Sequence, residues 1–216
     1  HERRPYLSAI EYSPNYTEDQ FESGGVHLVT VTSEKILRGR RPVLENTTLR
    51  SYFLALSCDV PPFDRPEVRR ALAMGLDKAR LAAAYDTPPS AHQVLDNHIP
   101  PLLPGFFPRP EAPQPDPAAA KMLLGRLLGP DGARNLKLAL LLPSPRTDPL
   151  ARFARELERQ LGALGFAAET VYLRRPEDVR NVLSPYLKLL EHTMDFPDPE
   201  NIIVPLYHSR SAANGL

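Results

Sequence analysis

The stretch TMDFPDPEN, residues 193–201, decides how the rest of the chain is interpreted. It follows the apolar run Tyr186–His192, which predicts a buried strand. Two prolines in the stretch fix φ and lack an N–H, so the strand has to end and a stiff turn has to begin. Asp195 therefore lies at a strand exit, where a fold can hold a carboxylate still and present it to a ligand. Alternatively, three side chains of the stretch only form Asx turns and a helix cap: Asp195, Asp198 and Asn201.

Composition describes a globular chain with a real core and excludes some functions. The chain has 216 residues, of which 42% are hydrophobic and 24% charged. The 26 basic residues balance the 26 acidic ones, so no overall field favours nucleic acid or an anionic membrane. Cys58 is the only cysteine, which excludes an intrachain disulfide and a cysteine-based metal site. The first residue is His1 rather than Met, so we expect a piece of a longer protein.

Proline is unusually frequent, with 25 residues in the chain. Average usage is about 5%. The prolines cluster between apolar segments, which favours long, ordered, stiff loops over disorder. The longest predicted loop spans residues 86–115, and loops of this length are usually functional or wrap a domain.

Apolar periodicity predicts alternating strands and helices along the chain. The predicted strands are 5–12, 26–32, 48–57, 136–142, 166–173 and 186–192. The predicted helices are 17–22, 33–41, a single helix from Pro66 through Leu81, 116–128, 150–164 and 176–183. This alternation predicts an α/β fold, with a largely parallel or mixed sheet flanked by helices.

The chain lacks the short motifs of common enzymes. It has no phosphate loop, no Gly-x-Gly-x-x-Gly, no Gly-x-Ser-x-Gly elbow and no zinc signature. Serines beside His208 are too common a neighbourhood to indicate a nucleophile. We therefore expect no catalytic residues, no metal and no cofactor.

Two charged residues with flanking prolines follow predicted strands: Arg146 and Asp195. In an open α/β sheet, ligands bind beyond the carboxyl ends of the strands. There, Arg146 could bind a carboxylate and Asp195 an ammonium group, which together suit a small peptide or an amino-acid derivative. The alternative is two solvated loop charges of little energetic weight. His192 precedes the turn and could line the same pocket, although a place in the core or on the surface is the simpler interpretation.

The runs YFLAL at 52–56 and PPFDRPEVRRALAMGLD at 61–77 resemble the family 5 extracellular solute-binding proteins, the dipeptide, oligopeptide and nickel receptors of ABC importers. Further stretches are similar to the family and follow in the same order: 4–7 with 21–24, 99–106 with 116–121, 143–166, and the turn 195–201. Together they cover nearly the whole chain.

The resemblance implies a fold and a set of ligand contacts. Residues 1–216 would form a single α/β lobe of a two-lobe clamshell, with the partner lobe absent from this chain. Asp195 stands where peptide-binding members pair an aspartate with the ligand's amino group. Arg146 stands near the arginine that binds the ligand carboxylate in the dipeptide branch, although this turn is one residue shorter here. His192 replaces a tryptophan common in the family.

The resemblance also implies a cellular role. The chain would be the substrate-binding component of an ABC importer, with a peptide or related solute and the membrane subunits as partners. We expect a monomer that binds no nucleic acid, located in the periplasm or outside the cell, with a lipid anchor upstream of His1 as one option. The alternative is the ligand-sensing domain of a cytoplasmic transcriptional regulator with the same fold.

Overall fold

The computed structural model describes residues 9–12, 18–28, 49–85, 93–107, 114–129, 131–143 and 148–211. The chain divides into two compact units, His1–Val43 and Leu44–Leu216. Helices and strands are numbered below in chain order.

The described part of the first unit contains one short helix, α1 (Glu18–Glu22). Gly24 follows it at φ 81°, a conformation that glycine adopts without strain. The N–H of Val26 bonds back to the carbonyl of Gln20 at 3.1 Å, so residues 26–28 close the helix instead of forming the predicted strand. Residues 9–12 are not strand either, and the other residues of the strands predicted at 5–12 and 26–32 and the whole helix predicted at 33–41 lie outside the described residues.

The second unit combines strands with helices. Its strands are β1 (Arg50–Leu56), β2 (Lys137–Pro143), β3 (Ala167–Leu173) and β4 (Tyr186–Thr193). Its α-helices are α2 (Pro66–Gly75), α3 (Lys78–Tyr85), α4 (Pro117–Leu128), α5 (Asp148–Leu164) and α6 (Glu200–Tyr207). A short 3-10 helix, Pro176–Asn181, joins β3 to β4.

The four strands form one sheet in the order β1-β4-β2-β3. β2 is parallel to both β3 and β4, with Leu141 opposite Lys188. β1 is antiparallel to β4, with Leu56 opposite Leu187. The sheet is therefore mixed, which confirms the predicted α/β class.

The main core lies between one face of the sheet and the helices. β2 and β4 contribute alternate residues to it, because successive side chains of a strand point to opposite faces. α5 is strongly amphipathic and buries an apolar stripe at helical spacing against this face. The fully buried leucines that β2, α5 and β4 contribute to this core include Leu138, Leu140, Leu157, Leu161 and Leu187.

The helix predicted from Pro66 through Leu81 is in fact two helices. Leu76 is extended, with φ −89° and ψ 125°, and Asp77 begins α3 by accepting a bond from the N–H of Arg80 at 3.0 Å. The backbone N–H of Asp77 donates to the side chain of Gln160 on α5 at 2.8 Å. A side chain distant in sequence therefore satisfies the backbone at the break, and periodicity does not reveal it.

Candidate functional site

The candidate site is the turn that leaves β4, residues 194–199, where the sequence predicted a ligand contact. β2 and β4 are parallel neighbours, so their carboxyl ends meet at the same edge of the sheet. β2 ends at Pro143 and β4 at Thr193. The chain therefore leaves β2 and β4 at the same edge of the sheet. Arg146 itself lies outside the described residues.

Asn201 holds the turn in place from the first turn of α6. It is buried, with 9% of its surface exposed. Its side-chain Oδ1 accepts the backbone N–H of Asp195 at 3.2 Å, and its carbonyl oxygen accepts a bond from Nε2 of His192 at 2.8 Å. Because a carbonyl only accepts, Nε2 carries a proton, and in the neutral form of the ring Nδ1 is an acceptor. Asn201 thus joins two predicted site residues, His192 and Asp195. From the sequence, Asn201 itself was predicted only to form a turn or a cap.

Asp198 has a structural role, as the alternative interpretation of the turn proposed. Its Oδ1 accepts the N–H of Glu200 at 2.8 Å, and its carbonyl accepts the N–H of Asn201 at 3.0 Å. This Asx turn satisfies donors at the start of α6 that the helix itself leaves unpaired.

Asp195 differs from Asp198 in that its carboxylate accepts no hydrogen bond from the described residues. The residue is exposed, and within the described part of the chain neither a side chain nor a backbone group donates to its carboxylate oxygens. Its backbone is nevertheless fixed by Asn201 on one side and by the bond from Met194 N–H to the carbonyl of Leu49, 2.9 Å, on the other. A carboxylate on a fixed backbone with its acceptor positions open can bind a cationic group.

The segment 93–107 supports the turn from one side. Leu103 packs with Met194 and Ile202 in a small apolar cluster. The ring of His98 packs edge-on between two aromatic rings. The distance between ring centroids is 5.0 Å to Tyr207 of α6 and 6.4 Å to Phe53 of β1. The middle of the long predicted loop therefore packs against the turn and against α6, so it wraps this part of the domain.

We expect Asn201→Ala to loosen the turn without changing its charge. One hydrogen bond of this kind contributes on the order of 1–1.5 kcal/mol net, so the amide of Asp195 should exchange with solvent about tenfold faster. Amide hydrogen exchange followed by NMR measures this rate, and the amide of Leu140 in β2 is the internal control. An unchanged rate at Asp195 would show that the side chain of Asn201 does not restrain the turn.

The described residues contain neither a metal-binding cluster nor a membrane-spanning helix. No group of three His, Cys, Asp or Glu side chains among them is placed to hold a metal ion. None of the helices that the structure describes is both long enough and apolar enough to cross a bilayer.

Comparison with known proteins gives a family match along almost the whole chain. The model of the bacterial extracellular solute-binding proteins, family 5 Middle, matches residues 1–214. A comparison with curated protein sequences finds no match.

The solved structures with a similar fold include the following three. CtaP, an ABC transporter substrate-binding protein from Listeria monocytogenes, has a TM-score of 0.66 and 19% identity, covering 78% of this chain and 34% of that one. HbpA2 from Haemophilus parasuis has a TM-score of 0.62 and 21% identity, covering 76% and 32%. A dipeptide-binding protein from Pseudoalteromonas sp. SM9913, solved with Met-Leu, has a TM-score of 0.57 and 21% identity, covering 80% and 34%. The chain thus spans about a third of the length of these structures, and the likeness confirms the predicted lobe fold.

Proposed function

Because the chain belongs to the family 5 bacterial extracellular solute-binding proteins, as its sequence resemblance predicted, we propose that it binds a small peptide or related solute for an ABC importer, without catalysis. The carboxylate of Asp195 accepts hydrogen bonds from the ligand's amino group. The observation that carries this proposal is the contrast within one turn: the carboxylate of Asp198 caps α6, whereas that of Asp195 is exposed on a fixed backbone with its oxygens open.

The sheet topology supports a zwitterionic ligand. The carboxyl ends of β2 and β4 lie at one edge, and Arg146 follows β2 by three positions in the sequence. We propose that Arg146 binds the ligand carboxylate while Asp195 binds the amine, since opposite charges at the two ends match a short peptide. His192, which lies beside the turn, contacts the ligand through Nδ1, the ring nitrogen that is not bonded to Asn201.

The wider setting of this site is also a proposal. Residues 1–216 form one lobe, and a second lobe closes over the ligand in the full-length protein. The remaining proposed partners are the membrane subunits of the importer. The protein acts as a monomer, located in the periplasm or outside the cell. A lipid anchor upstream of His1 is one way in which it would be retained there. A single lobe offers only part of the contact surface, so we expect the chain alone to bind in the millimolar range, with about −4 kcal/mol of binding free energy.

The test is an NMR titration of the chain with Ala-Ala and Ala-Ala-Ala, each compared with its N-acetylated form. We expect saturable shifts at Asp195 with the free peptides, and a dissociation constant at least tenfold weaker after acetylation. We expect Asp195→Asn to weaken binding of the free peptides about 10- to 100-fold, because a charge-assisted bond contributes roughly 1.5–3 kcal/mol.

Asp198→Asn is the matched control for this titration. It removes one negative charge from the same turn, and the amide oxygen still accepts the N–H of Glu200. We expect its affinity to stay within about twofold of the wild type, since the charge at this position is screened by solvent. Equal losses in both variants would mean that only the net charge of the turn matters. Equal binding of free and acetylated peptides would refute the amine contact, and absence of shifts with every peptide would refute the peptide assignment.

A further inference from the structure

The face of the sheet turned away from the main core carries a lysine at its centre. Lys188 lies on β4, one of the two inner strands, between Ala55 of β1 and Leu141 of β2. Only 6% of Lys188 is exposed. Leu187 and Leu189, its neighbours along the strand, point into the main core, so Lys188 points to the opposite face. On this face the 3-10 helix covers part of the sheet, and its Val179 forms a separate apolar cluster with Ala139 and Leu141 of β2.

The ammonium position of Lys188 has no partner in the described part of the chain. No carboxylate or other acceptor there lies within bonding distance of its Nζ. By contrast, Lys78 on α3 is exposed and pairs with Asp96 at 2.9 Å. Lysines are almost never buried unless they are paired, so Lys188 is an exception that calls for a physical account.

The titratable groups around this face pair with other residues, are exposed to solvent, or lie far from Lys188. Among those that the structure describes, Asp178 on the 3-10 helix pairs with Arg175 at 3.3 Å, and His192 further along β4 bonds to Asn201. Glu169 is exposed on β3, two strands away. On the remaining elements around the face, the ring of His98 contacts Phe53. Tyr186 is uncharged near neutral pH, and burial raises its pKa further. Asp59, whose charge acts on Tyr186, is exposed to solvent. None of these groups compensates a charge at Lys188.

Burial without a partner disfavours the charged form of an amine. It lowers the pKa of Lys188 from the ordinary value, and desolvation is the only cause. A neutral amine can pack against the aliphatic groups of Ala55 and Leu141, whereas an ammonium needs water or a carboxylate.

We propose that the protonation state of Lys188 controls the packing of this face of the sheet. The neutral amine packs within the face, whereas the ammonium turns toward water and loosens the 3-10 helix from the sheet. The proposal goes beyond solute binding and does not depend on the ligand.

The direction of the pH effect follows from proton counting. In the unfolded chain Lys188 has an ordinary pKa near about 10.4. Between the lowered pKa of the folded state and that value, the unfolded state binds more protons. Stability therefore rises with pH in that window. Below the lowered pKa the folded and the unfolded state both carry the proton, so Lys188 no longer makes stability depend on pH.

The test compares urea unfolding of the wild type and of Lys188→Met from pH 6 to pH 9.5. Other titrating groups are present in both proteins and cancel in the difference. At pH 6 we expect the Met variant to have an unfolding constant at least about tenfold smaller, because a long apolar side chain fills the same space without a charge. The wild type should approach the variant as pH rises, by at most about tenfold per pH unit.

Lys137→Met is the control, because Lys137 lies on β2 on the same face but is exposed. It should change neither stability nor pH dependence appreciably. The proposal is overturned if Lys188→Met is less stable than the wild type, or if the two proteins share one pH profile, since either result would mean that Lys188 is charged and paired. Should the Met variant fail to fold, NMR titration of the Lys188 side chain in the wild type decides: an ordinary pKa above 10 refutes the proposal.

Discussion

Gly75→Ala is expected to destabilise the protein by about 2 kcal/mol, although alanine is the better helix former. Gly75 ends α2 at the point where this helix packs on α4 and α5. A Cβ at this position would lie 2.8 Å from the Cβ of Ala120 and 2.6 Å from a methyl of Leu164. The Leu164 methyl can move by a change of rotamer, but the Ala120 Cβ moves only with its backbone. The close approach of the two helices therefore requires glycine here.

Urea denaturation measures this loss, and Gly125→Ala on α4 is the matched control. Nothing lies within 4 Å of a Cβ built at Gly125, and its φ is compatible with alanine. The same substitution there should stabilise the protein by about 0.5–1 kcal/mol through helix propensity alone. A stabilised Gly75→Ala variant would show that α2 and α4 can move apart at no cost.

Gln160→Leu should cost about 2–3 kcal/mol of stability, because the side chain of Gln160 clamps the break between α2 and α3. It is 5% exposed. Its Oε1 accepts the N–H of Asp77 at 2.8 Å, and its Nε2 donates to the carbonyl of Asp77 at 3.2 Å and to Glu156 at 2.8 Å. Leucine fits the volume but leaves the N–H of Asp77 without an acceptor, and a buried unpaired group costs roughly 1–3 kcal/mol. The carbonyl of Asp77 loses one bond but keeps the one from the N–H of Leu81 at 3.1 Å.

Arg155→Leu separates loss of the clamp from a general effect of leucine on α5. Arg155 is on the same helix, is exposed, and has no polar partner among the described residues. Its replacement should stay within about 0.5 kcal/mol of the wild type. Thermal or urea unfolding of the two variants side by side gives the comparison. Equal stability of Gln160→Leu and the wild type would mean that water or a shifted α3 replaces the clamp.

The local hydrophobic pattern correctly predicted those helices and strands whose type is determined by their own residues. The continuous apolar run of β2 and the stripe of α5 are examples, since burial on both faces and helical spacing are visible in the sequence. α6 was not predicted, because it is short and contains Pro205, which argues against a helix. The break before Asp77 was missed because Gln160 stabilises it from a distant helix.

The candidate site was predicted in part, for a similar reason. The prolines and acids of its turn are local, so the position of Asp195 at a strand exit could be predicted. The bond from His192 to the carbonyl of Asn201 depends on α6 folding back over the turn, and no spacing rule indicates it. Lys188 is a lysine in an otherwise apolar run, which was the available signal for a buried cation.

The strand order has a consequence for how the chain is made. β4 lies between β1 and β2, yet it is the last of these four strands to leave the ribosome. Until it emerges, β1 has no neighbour, and β2 pairs on one side only. A nascent chain halted before Tyr186 would therefore expose two unpaired strand edges above a leucine-rich surface, which favours aggregation. Truncations from the carboxyl end should consequently lose solubility abruptly once they reach β4, whereas the loss of residues beyond α6 should leave the sheet intact.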